Sequence, residues 1–378
     1  MQKHSSRQKN RSKPEKEERQ RGIRNVKGKD LVATLLERNR EQSALFTSSD
    51  AALWRGKYRA EHPTEMAGFK CMDGRLHLPE LTETPTGIIQ PFRNLGGQFN
   101  LGWPFLNAVV WEWVQYAISR GRLVLPLVTY HFSRGSKHRG CKGFNYDTAA
   151  AVAYTRNLRE QFERVLGFGH SVVYPVQVGI ETDEDALIFH GLKEGNELDL
   201  ASLEPDVSPD SLRRSLEGLY PGMQAQFVTD LLPLMVGNLR HIAKVRAAHR
   251  PPAVIDHQEQ VLAVGRGFDW LHWPNKALIV GPWSPDLSHP IEIAAKLLLS
   301  NINEGRVPSS DGVVLMSSAV YRRKAGPEIR FAEEKSRVLA ELALGVIREE
   351  VPELMGHIKV LTGITDLNTR EFTPLQIN

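Results

Sequence analysis

The chain has 378 residues, 41% hydrophobic and 24% charged, the balance of an ordinary folded protein with room for two domains. No run of eighteen apolar residues occurs, so no membrane span is expected, and the polar start lacks the apolar stretch of a secretory signal. Two cysteines make a poor disulfide framework at this length. A reducing cytosol is therefore the expected compartment, where paired cysteines read as metal ligands or catalytic groups.

Charge is uneven. Residues 1–30 carry eleven Lys/Arg against four Asp/Glu, a net of +7, while the whole chain nets only +4. With almost no apolar side chains, this segment cannot offset the entropy of ordering. It is expected to be a disordered basic tail, either simply solvated or a tether for an acidic protein or nucleic acid. Leu31–Leu36 and the polar residues after them predict a short helix. Phe69-Lys70 then leads into Cys71-Met72-Asp73-Gly74-Arg75, which reads as a strand end and the loop after it. Residues 86–92 predict a second strand, running into Arg93-Asn94-Leu95-Gly96-Gly97, where two glycines are free to take positive φ. Pro104 starts an apolar helix that Gly121 stops. The run LVLPLVTYHF after it is a buried parallel strand carrying His131 at its end.

A turn with His138 and Cys141 follows, and Asp147 is placed to cap the next helix. Two runs split by Thr182-Asp183-Glu184 predict a strand pair. Strands alternating with helices define an α/β fold with a mainly parallel sheet flanked by helices. In such sheets ligands sit beyond the C-terminal strand ends, where Cys71, Arg93 and His131 all fall. Residues 203–212 read as a linker, followed by a helical stretch to about Ala248 interrupted at Pro221 and Pro233. Residues 276–323 then repeat the order strand, loop, proline-led helix, glycine stop, strand, which predicts an internal duplication. The second copy has no cysteine.

Thiolates from Cys71 and Cys141 with one neutral imidazole can hold Zn²⁺ and leave its fourth position open. Zinc in that state lowers the pKa of bound water toward ~7. Asp73 is placed to accept a hydrogen bond from the zinc-bound hydroxyl, and Arg75 to hold Asp73 in a bidentate pair. An ordinary surface ion pair is the competing reading of these two residues. The third ligand is His131 or His138. His138 gives a compact His-x-x-Cys spacing, while His131, at the end of a rigid strand, is preferred. His77, His170, His190 and His272 lie among apolar residues and read as structural. His257, before the strand VLAVG, is the one histidine of the second half placed to reach the first site.

At these residues the chain resembles the β class of carbonic anhydrases. The matching pieces are Cys71-Met-Asp73-Gly-Arg75, Arg93-Asn94-Leu-Gly96, and the strand ending at His131 followed by Cys141. The resemblance implies zinc on Cys71, His131 and Cys141, a catalytic pair of Asp73 and Arg75, and reversible hydration of carbon dioxide to bicarbonate. The wide interval between His131 and Cys141, and the long second half, are most similar to carboxysome shell carbonic anhydrases, over about residues 68–350. That subfamily implies an active copy and a degenerate copy in one chain, one zinc per chain, and a basic tail engaging Rubisco or shell components. Residues 1–30, 31–205 and 206–378 are then tail, zinc domain and degenerate domain. A homo-oligomer, cytoplasmic or inside the carboxysome, is expected. Only residues 31–70 fill the interval where the shell enzymes carry a helical domain. The rival readings are a carbonyl sulfide or carbon disulfide hydrolase on the same fold, and a non-catalytic scaffold acting through the tail.

Overall fold

The computed structural model describes residues 30–167, 171–251, 255–273, 275–308, 310–324 and 326–375. The basic tail, apart from Asp30, and His170 lie outside these residues. Two mostly parallel mixed sheets, flanked by helices, make an α/β protein. None of the described helices is long and apolar enough to cross a membrane.

The chain opens with helices α1 (Leu31–Thr47) and α2 (Ser49–Glu61), where the sequence predicts only one short helix. The first sheet uses β1 (Glu65–Cys71), β2 (Ile89–Asn94), β3 (Val124–Phe132), β4 (Val176–Glu181), β5 (Ala186–His190) and β6 (Glu197–Asp199). Its order is β2-β1-β3-β4-β5-β6, parallel through β4 and antiparallel beyond. Three helices connect these strands: the one-turn α3 (Leu78–Leu81), α4 (Pro104–Ile118) and α5 (Thr148–Leu166). Pro104 begins α4, Gly121 turns out of it at φ 64°, and the Asp147 carboxylate accepts from Ala150 N to cap α5. Strand β2 starts three residues later than its apolar run predicts, because Gly87 turns the chain at φ 94° just before it.

Helices α6 (Pro209–Leu219) and α7 (Ala225–Ala248) follow. The last four residues of the segment read as a linker are therefore helical: Ser208 caps α6 and Pro209 occupies its first turn. Pro233 lies inside α7 without breaking it. Burial of Phe227, Leu231, Leu234 and Met235 offsets the missing backbone bond. The second sheet uses β7 (Val261–Gly265), β8 (Ala277–Val280), β9 (Val313–Tyr321), β10 (Ile358–Asp366) and β11 (Phe372–Pro374), with α8 (Ser288–Asn303) and α9 (Glu328–Glu350) as crossovers. Its order, β8-β7-β9-β10-β11, repeats that of β2-β1-β3-β4-β5, with the same strand directions.

The packing crosses between the halves. Helix α1 lies on the second sheet: Leu35 is buried with Val261, Val314 and Phe372, and Asn39 bonds Arg370 O (2.9 Å) and Phe372 N (2.8 Å). Helix α7 lies on the first: Asn238 accepts from Leu187 N (2.9 Å) and donates to Leu81 O (2.9 Å) and Asp185 O (2.8 Å). Each half thus sends a leading helix over the sheet of the other. Gly237 permits the close approach of α7, since a Cβ there would lie 1.9 Å from the Thr82 carbonyl oxygen. Gly237→Ala would gain about 1 kcal/mol of helix propensity but meet rigid backbone. We expect a net destabilisation on the order of 3 kcal/mol, read as a lowered urea midpoint at unchanged slope.

Candidate metal centre

The edges of the two sheets meet where β1 ends. Past Cys71, Met72 O accepts from Ile279 N (2.8 Å), Asp73 bridges to Leu278, and Arg93 O accepts from Gly281 N (2.9 Å). Gly74 must be glycine for this seam to close, because a Cβ would stand 2.2 Å from Ala277 O. The second half is therefore packed directly against the end of β1 and the polar residues that follow it.

Adjacent parallel strands bring Cys71, the last residue of β1, beside His131, near the end of β3. Cys141 arrives from the loop after β3. One donor atom from each of the three lies within 4.8 Å of the others, and each residue is at most 5% exposed. The two sulfurs are 4.0 Å apart and both thiols are free. A disulfide needs about 2.05 Å, whereas two sulfurs on one tetrahedral zinc stand about 3.8 Å apart. Neither ring nitrogen of His131 has a hydrogen-bond partner of normal geometry, so one is free to take a metal, while the other lacks the partner a ligating imidazole usually has. Burial pushes the Cys71 thiol up, but the bond from Cys141 and the charge of His131 outweigh it and leave it well below a free thiol. Its bond to Cys71, together with burial, pushes the Cys141 thiol well up, so the two sulfurs share a proton. Gly96, at φ 65°, aims its N–H at Cys71 Sγ (3.3 Å), adding support for negative charge on that sulfur. The donor set, spacing and orphaned imidazole fit zinc. His138, by contrast, is exposed on the turn Lys137–Arg139, edge-on to Tyr146, and takes no part.

Asp73 and Arg75 form a buried bidentate pair rather than a surface one, with Nη2–Oδ2 at 2.6 Å and Nε–Oδ1 at 3.0 Å. The Arg75 backbone N–H also donates to Asp73 Oδ1 (2.9 Å). Burial raises the Asp73 carboxyl, but the guanidinium overrides it and holds the group well below the usual carboxylate range. Arg75 donates two of its three remaining N–H groups to Ile255 O (3.0 Å) and Arg139 O (2.9 Å). Arg93 donates to Asp73 O (2.9 Å) and Leu76 O (3.2 Å), and so fixes the backbone of the motif. Asn94 accepts from Met72 N through its carbonyl (2.8 Å).

His257 does come to the site from the second half, close enough for its charge to act on Asp73. Its Nδ1 bonds Glu259 Oε1 (2.9 Å), a carboxylate with no exposed surface. Burial would lower the His257 pKa, but Glu259 outweighs it and the result is raised. Ile255 and Arg139 are partners that the sequence does not flag, because both act on Arg75 through main-chain oxygens.

His77, Glu80 and His272 also cluster. The two imidazoles stack face to face, centroids 3.4 Å apart and 13° from parallel, so their in-plane lone pairs cannot meet at one ion as they stand. Burial pushes both rings well down, with Lys70 and Arg93 adding to it, so they are neutral, and His272 Nε2 bonds Glu80 Oε2 (2.6 Å). The sequence reading of satisfied histidines is not matched in full, since each leaves Nδ1 without a bond. His190 is structural, through Tyr130 OH (2.8 Å).

Overlaying the sheets by the ends of β1 and β7 puts Gly265 where Cys71 stands, and Gly267 and Asp269 at the places of Asp73 and Arg75. The strand registers then put Ala319 at the place of His131. A cavity of about 290 Å³ lies here, lined in part by Gly265, Arg266, Gly267 and Arg322, with no matching set of donors among the described residues. No protein-family model matches the chain, and neither does any curated protein.

Proposed function

We propose that the chain is a zinc-dependent β-type carbonic anhydrase, built as an active and a degenerate copy of one domain. The observation that carries this reading is the buried Cys71–His131–Cys141 donor set beside the Asp73–Arg75 pair. The matching strand orders, and the loss of all three donors from the second sheet, support the duplication. Zinc held by the three donors would supply a Lewis acid that brings water to its conjugate base near neutral pH.

The protein's own residues do the rest. Arg75 keeps Asp73 ionised, so its oxygens only accept hydrogen bonds and select a proton-bearing group on the nucleophile. Arg93 and Arg75, held by backbone carbonyls on several sides, stop the carboxylate from swinging toward the thiolates. The donors and Asp73 are buried, which keeps bulk water from the charged pair and strengthens its electrostatics. His257 and Glu259 supply a second titratable pair from the second half.

Metal analysis of the purified full chain, with stopped-flow hydration of carbon dioxide on the same sample, tests the proposal. One zinc per chain and turnover that a chelator removes are expected. A content of zero or of two zinc ions, or a zinc-loaded chain without hydration activity, would defeat it.

A further inference from the structure

Ten residue positions separate His131 from Cys141, so strand β3 alone cannot deliver the second thiol. The loop must be closed at an entropic cost that some contact offsets. Its first part folds around Asp183, in the β4–β5 turn. The Asp183 carboxylate accepts from Ser133 Oγ (2.8 Å) and Gly135 N (2.6 Å), while Ser136 N donates to Ser133 Oγ (3.0 Å). The part next to Cys141 is held differently. Arg139 Nε donates to Asp256 Oδ1 (2.6 Å) in the second half, and Nη1 stands 3.5 Å from Asp183 Oδ1. The Arg139 carbonyl accepts from Arg75 Nη2 (2.9 Å), whose other bonds fix Asp73.

Resting on the reading of Cys71, His131 and Cys141 as a metal site, we infer that Arg139 is the positioning residue of the centre. It clasps the Cys141 loop between Asp183 of one half and Asp256 of the other, and locks it in register with Arg75. Two carboxylates on opposite sides of one guanidinium make the clasp directional. Arginine presents its N–H groups in a fixed fork, and a lysine would reach only one carboxylate at a time. The thiol two residues on is thereby held where the His131 ring faces it, and the acid–base pair moves with it.

The test is zinc release into excess chelator from the full-length protein, followed for wild type, Arg139→Ala, Arg139→Lys and Asp256→Asn. Arg139→Ala should release zinc roughly 10–100-fold faster, the usual effect of removing a partner that orients a ligand. Arg139→Lys should recover part of the loss. With cobalt(II) in place of zinc, the thiolate charge-transfer bands of Arg139→Ala should weaken, a change that general destabilisation of a still-folded protein would not produce. A folded Arg139→Ala with wild-type release and wild-type cobalt bands overturns the inference. Should that variant not fold, Asp256→Asn must itself speed release several-fold, and an unchanged rate overturns the inference equally. A wild-type chain that binds no zinc defeats the metal reading instead, and takes this inference with it.

Discussion

Cys141→Ala is expected to yield a folded protein that has lost its zinc. Apparent binding energies of about 10–16 kcal/mol for four-ligand zinc sites put one ligand at roughly 3–4 kcal/mol, or about 10²–10³ in affinity. Dialysis should then strip the ion. Cys71→Ala should lose the metal too, but with a larger fall in stability, because Gly96 N–H would be left buried without its sulfur acceptor. An orphaned buried donor costs about 1–3 kcal/mol. Elemental analysis after dialysis, paired with thermal melts of the metal-free proteins, checks both. Retention of one zinc by Cys141→Ala would show that the ion is held elsewhere.

Asp73→Asn separates holding the metal from using it. The substitution leaves Cys71, His131 and Cys141 untouched, so zinc content should remain at one per chain. Carbon dioxide hydration should fall by roughly 10²-fold or more, the low end of what a positioned acid–base group contributes. Asparagine keeps an oxygen for the Arg75 backbone N–H but takes away the charge opposite the guanidinium. Removing one partner of a buried pair costs about 3–5 kcal/mol, so the melting temperature should drop as well. Turnover and zinc must therefore be measured on the same folded sample. Full activity in a zinc-loaded Asp73→Asn protein would remove Asp73 from the mechanism.

The centre was legible in the sequence because its residues sit where strands end, and apolar runs mark strand ends well. Cys71 closes one such run, His131 another, and adjacent parallel strands bring the two together. The preference for His131 over His138 followed from the same logic: the strand is rigid and the turn is not. The alternation of elements likewise announced an α/β fold and the echo between the halves. Three things were illegible for physical reasons. Main-chain oxygens of Ile255 and Arg139 complete the shell of Arg75, and a carbonyl carries no side-chain signature. Pro233 reads as a helix break on propensity alone, yet α7 is held by tertiary burial. The place of α1 depends on Asn39 reaching residues more than 330 positions away, which no local pattern encodes.

The exchanged leading helices bear on how such a chain could change over generations. If the second half is a degenerate copy, as proposed, it would ordinarily be free to erode or be deleted. Here deletion would strip α7 from the first sheet and leave α1 with nothing to cover. It would also remove the wall that presses on Gly74 and the carbonyl that steadies Arg75. On the proposed reading, selection could relax on the chemistry of the second half while staying strict on its shape, because that half is the mould against which the first is packed.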